Sequence, residues 1–106
     1  MARLSGPREQ ETTSLSEDLE MRRRRALYRA AHRGTKEMDL LMGRFAEAHI
    51  PTMDETELGR FEELLAQPDP DLQAWIMADG VFAVRAAPAP ELNELIQSLK
   101  SFHGLA

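Results

Sequence analysis

The chain has 106 residues, 42% apolar and 29% charged, with no cysteine. That length supports one small domain with a single core and no large substrate cavity, and without a thiol there is no cysteine nucleophile, disulfide or thiolate-bound metal. The formal net charge of −5 is unevenly placed: residues 1–34 hold eight arginines against five acids, +3, while residues 35–106 hold five bases against thirteen acids, −8. Such a separation predicts oriented, salt-sensitive docking on a partner.

Residues 1–15 are polar and aperiodic, contain Gly6 and Pro7, and read as a disordered tail ahead of one helical domain over 16–106. The segment lacks an apolar stretch and carries Glu9 and Glu11, so neither a secretory signal nor a mitochondrial presequence is expected. The first helix is predicted from Ser14 or Ser16, where Ser14-x-x-Glu17 matches a capping box, to His32 or Arg33, with Gly34 as its stop. Leu27, Ala30, Ala31 and Gly34 make a narrow face of small residues suited to close helix packing. Arg22, Arg25, Arg29 and Arg33 line another face, spaced three, four and four apart.

A second helix is expected from about Thr35, with Glu37 and Asp39 in its first turn, where acids complement the helix dipole. Its core face is Met38, Leu41, Met42 and Phe45, and it ends before Pro51. The third starts at Asp54, whose Asp-x-x-Glu57 spacing is a capping pattern; it buries Leu58, Phe61, Leu64 and Leu65 and stops at Pro68. The fourth has Asp69 as N-cap and Pro70 at its first position, turns Leu72, Trp75 and Ile76 inward, and closes at Gly80. After a weak strand-like run, Val81 to Val84, and a loop from Ala86 to Pro90, the fifth places Leu92, Leu95, Ile96 and Leu99 on one face. The predicted fold is all-α, a small compact bundle of five short helices.

No apolar run approaches the roughly 20 residues needed to span a bilayer, so no membrane insertion is expected. His32, His49 and His103 lack metal-ligand spacing, and there is no glycine-rich phosphate loop or dinucleotide fingerprint, so neither a metal site nor a tightly bound cofactor is expected. No nucleophile and base pair suggests catalysis, so the chain reads as a non-enzyme. Met38 and Met42 at helical spacing read as core filling, Trp75 as a core anchor, and Glu62, Glu63, Asp69, Asp71 and Asp79 as solvated acids. The run Arg22 to Arg25, with Tyr28 and Arg29 behind it, fits either phosphate contacts on a nucleic acid or a solvated face whose stems cover apolar surface. The −8 on the rest of the chain opposes polyanions.

The junction between the first two helices reads Arg33-Gly34-Thr35-Lys36-Glu37, continued by Met38 to Phe45, and a second block reads Pro68-Asp69-Pro70-Asp71-Leu72-Gln73-Ala74-Trp75-Ile76. Together they resemble the Arg-Gly-x-x-Glu and Asp-Pro-Asp-Leu-x-x-Trp segments of the succinate dehydrogenase assembly factors, over about Arg22 to Gly80. Thr35 departs from the larger apolar residue common there, and the polar N-terminus is long. The resemblance implies a chaperone-like assembly factor that binds the flavoprotein subunit of succinate dehydrogenase, with fumarate reductase as a further client. It would promote covalent attachment of FAD, through its 8α carbon, to a histidine of that partner. The same resemblance implies that Arg33, Gly34 and Glu37 contact the flavoprotein; Arg29 and Asp39 flank them and complete the candidate partner-binding set. A bacterial, cytoplasmic setting is expected. The junction itself is expected to be exposed, with Arg33 and Glu37 offering opposite charges, and with Gly34 serving both as a helix cap and as a point of close approach. The alternative reading is an arginine-rich helical regulatory or nucleic-acid-associated protein.

Overall fold

The computed structural model describes residues 18–77 and 88–105. Helix α1 covers residues 18–31, α2 runs Lys36–His49, α3 Glu55–Leu65, α4 Asp69–Met77 and α5 Pro90–Phe102. A 3-10 turn, Ile50–Thr52, follows α2 where Pro51 withdraws a backbone donor. Among the described residues there is no strand, in agreement with the all-α expectation. The predicted tail, the Ser14 capping box, the Gly80 stop, Asp79 and the Val81 to Val84 run lie outside the described residues.

Local signals account for the helix ends. Thr35 caps α2, its hydroxyl accepting from Met38 N at 3.2 Å. Asp54 and Glu57 close the predicted capping box on α3, each carboxylate accepting the other's backbone N–H at 2.8 and 2.9 Å. At the far end of α5, Leu105 N donates to Lys100 O at 2.7 Å and Gly104 N to Ser101 O at 3.1 Å, a Schellman closure. His103 then ties α5 to α2, with Nε2 2.7 Å from Leu41 O.

The core is built from one face of each helix. Phe45 and Phe61 sit at its centre, fully buried, 6.0 Å apart and tilted. Around them lie Met38, Met42 and Ala46 from α2, Leu58, Leu64 and Leu65 from α3, Leu72 and Ile76 from α4, and Leu92, Ile96 and Leu99 from α5, with Ala26 and Ala30 from α1 and Ile50 and Met53 from the segment after α2. Leu41 and Leu95 are half-buried at its edge. So is Trp75, which corrects its reading as a core anchor: at the end of a short helix its indole reaches the margin of the core, while Leu72 and Ile76 take the centre.

The small-residue face of α1 is also revised. Ala26 and Ala30 are its buried positions, Leu27 is half-buried, and Gly34 lies exposed beyond the helix end. Close packing does occur, through Ala31: a Cβ placed on Gly43 of α2 would stand 3.2 Å from the Ala31 Cα, so the two backbones meet where neither offers bulk.

Candidate functional site

The turn between α1 and α2 is over-determined by hydrogen bonds. Gly34 has φ +123, a conformation that side-chain-bearing residues rarely adopt. Its N–H and that of Arg33 both donate to one oxygen of Asp39, the former at 3.2 Å, so a carboxylate in the first turn of α2 gathers the two amides that precede the helix. Asp39 N in turn donates to Thr35 O at 2.9 Å. A Cβ placed on Gly34 would have nothing of this chain within 4 Å, so the glycine answers to its dihedral and not to crowding inside the molecule.

Arg33 departs from the expected exposed position. Its side chain is only 12% exposed, and its guanidinium reaches away from the turn. Nε and Nη2 contact one oxygen of Asp69 at 2.8 and 2.7 Å, Nη1 donates to Leu65 O at 2.6 Å, and Nη2 to Gln67 O at 3.0 Å. Leu65 is the last residue of α3 and Asp69 the first of α4, so one planar fork satisfies carbonyls at a helix C-terminus and pairs with a carboxylate at the next N-terminus. Arg33 and Glu37 therefore do not offer opposite charges side by side at the junction, because the Arg33 guanidinium is turned inward to Asp69. Glu37 is exposed and accepts instead from Gln73 Nε2 of α4 at 3.0 Å. Asp69, read as a solvated N-cap, is the anion of the clamp. No local signal could reveal this, because the pair lies 36 positions apart in sequence.

A parallel pairing holds the start of α1. Arg22 grips Glu62 of α3 with two bonds of 2.8 and 3.2 Å and lies 3.6 Å from Glu55, and the Glu62 hydrogen bond raises the guanidinium further above its ordinary pKa. Arg23 donates to Met53 O at 2.7 Å. Glu62 is thus ion-paired, against its reading as solvated, and the predicted stripe from Arg22 to Arg33 is split. Its two ends fold inward, while Arg25 and Arg29 stay exposed.

The described site brings together Arg33, Gly34 and Asp39 as one rigid turn, with Glu37 displayed beside it. Arg29 stands apart, on the rim of a depression of about 400 Å³ bounded by Tyr28, His32, Arg33, Leu65 and Ala66. Among the described residues no group of acids or histidines is arranged to hold a metal ion, and no helix is long and apolar enough to cross a membrane.

A family model described as the flavinator of succinate dehydrogenase matches residues 24–103. A protein of Acinetobacter baylyi named FAD assembly factor SdhE is 40% identical over 91 residues, covering 85% of this chain and all of that protein. Its namesake in Acetobacter pasteurianus is 48% identical over 60 residues, 57% of this chain and 55% of that protein. Succinate dehydrogenase assembly factor 2 of Dictyostelium discoideum mitochondria is 42% identical over 60 residues, 57% of this chain and 43% of that protein. The chain thus spans about half the length of two of these relatives and the whole of the third. No solved structure matches significantly. The matched span holds the clamp, the Gly34 turn and both motif blocks, and the chain belongs to the family of FAD assembly factors, the flavinators of succinate dehydrogenase.

Proposed function

We propose that the chain binds the flavoprotein subunit of succinate dehydrogenase through the turn from Arg33 to Glu37 and promotes covalent attachment of FAD there without itself catalysing the bond. One observation carries this reading: Gly34 is exposed, has φ +123, and faces open space where a Cβ would stand, in a turn pinned from two sides by Asp39 and Arg33. A rigid, side-chain-free point allows another backbone to come close with little ordering cost on this side. Glu37 is the charge displayed next to it.

A binder shifts an equilibrium only by its differential affinity for the states concerned. In this reading the turn prefers the flavoprotein conformation in which FAD and its acceptor side chain are aligned, and the bond-forming chemistry belongs to the flavoprotein with its own FAD. The assembly factor holds no flavin tightly. Fumarate reductase flavoprotein is a second client in the same sense, and the bacterial cytoplasm is the setting.

The test uses a strain lacking the chain and reads flavin fluorescence of the denatured flavoprotein on a gel. Glu37→Ala should keep its melting temperature, because its one hydrogen bond is exposed and such surface losses stay within about 0.5 kcal/mol, yet incorporate less FAD. Gly34→Val should also lose incorporation. Full fluorescence from both variants would move the function to another surface.

A further inference from the structure

The arginine run of α1 is divided by the fold. Arg22, Arg23 and Arg33 are engaged with Glu62, Met53 O and the Asp69 clamp. Arg24, Arg25 and Arg29 are exposed and form no ion pair among the described residues. On the same side of the helix stand two large apolar side chains left in solvent, Met21 at 56% and Tyr28 at 65% exposure. Met21 and Tyr28 are seven residues apart, hence on the same face, with Arg25 one turn from each. His32 continues the line, its ring stacked on Tyr28 at 4.0 Å and 19°. The stripe leads directly to Gly34, and at 1.5 Å per residue it extends about 16 Å from Met21 to His32.

Three considerations bear on the role of this face. A specific interface covers on the order of 800 Å² per partner, which a five-residue turn cannot supply alone. Exposed Tyr, Met and Arg are the residue types enriched where partners meet. The depression beside Tyr28 and Arg29, about 400 Å³ with Leu65 and Ala66 in its wall, offers a seat for an apolar side chain. Charge selects the partner's chemistry. Three guanidinium groups without an ion pair among the described residues call for carboxylates, whereas the −8 carried by residues 35–106 repels an extended polyanion at longer range.

We propose that the outward face of α1, from Met21 to His32, is a docking surface continuous with the Gly34 turn. It takes an acidic, partly apolar segment of the flavoprotein, with carboxylates on Arg24, Arg25 and Arg29 and an apolar side chain beside Tyr28. This rests on the reading that the flavoprotein is the partner.

The experiment measures binding of the full chain to purified succinate dehydrogenase flavoprotein across a range of salt concentrations. Arg24→Glu combined with Arg25→Glu should weaken binding about tenfold or more and flatten its salt dependence. Tyr28→Ala should weaken it with the salt dependence retained, and Arg60→Glu, an exposed change on α3, should leave it within about twofold. Melting curves accompany each variant; if the double reversal melts early, Arg24→Gln with Arg25→Gln reads the same contact and should still weaken binding. Wild-type binding with unchanged affinity in the α1 variants overturns this surface and leaves the function standing. No wild-type binding overturns both. Tighter binding to a single-stranded RNA oligonucleotide than to the flavoprotein, lost in the arginine variants, overturns it in favour of a nucleic-acid surface.

Discussion

Arg33→Ala is expected to unfold part of what the turn depends on, and its cost can be worked from the contacts. The guanidinium makes an ion pair with Asp69 and donates to two carbonyls, Leu65 O and Gln67 O, in a position only 12% exposed. A hydrogen bond involving a charged group contributes about 1.5–3 kcal/mol, but Asp69 is 27% exposed and water can reach the vacated carbonyls, so the sum must be discounted. A net loss of about 2–4 kcal/mol follows, a large share of the roughly 5–15 kcal/mol that holds a small domain together. At about 4–8 °C per kcal/mol for a domain of this size, the midpoint should fall by about 8–32 °C. Arg33→Lys restores one donor without the planar fork and should lie between the two. Thermal denaturation followed by circular dichroism, with a urea titration alongside, measures the loss. A midpoint for Arg33→Ala within about 3 °C of wild type would show that the clamp contributes little to stability and refute this reasoning.

Two further outcomes follow from packing. Gly43→Val should cost about 1–3 kcal/mol by overpacking, because its Cβ would meet the Ala31 backbone at 3.2 Å; an unchanged urea midpoint would mean that α1 and α2 separate freely. Phe61→Ala should cost about 3–5 kcal/mol and Trp75→Ala about 1–3, because Phe61 is fully buried and Trp75 only half so. Equal losses from the two would place Trp75 back in the core.

The helices were legible because their signals are short-range. Asp54 and Glu57 cap each other three residues apart, Thr35 reaches Met38 N across the same interval, and the 3.6 period of Leu58, Phe61, Leu64 and Leu65 places all four in the core. The junction was legible as a place. Arg33, Gly34 and Asp39 do form one turn, and Glu37 is displayed next to it. Their division of labour was not. Arg33 turned out to be a clamp between α3 and α4, and Asp39 the acceptor that gathers the Arg33 and Gly34 amides. Read as a periodic stripe, the arginines of α1 looked equivalent. The acids that distinguish Arg22 and Arg33 from Arg25 and Arg29 belong to α3 and α4.

Five helices, the Asp54 capping box, most of the core and the location of the glycine turn could be read along the chain, since each depends on side chains within one or two turns of one another or on apolar periodicity along one element. Which charges are engaged inside the molecule depends instead on how the helices pack. Arg22 meets Glu62 across 40 positions and Arg33 meets Asp69 across 36, and any of the acids of residues 35–106 was an equally good partner until packing of the apolar faces brought those two within reach. Burial then sorted the cations, leaving Arg24, Arg25 and Arg29 outward, because an ion pair's partner depends on distance in space, which local sequence does not encode.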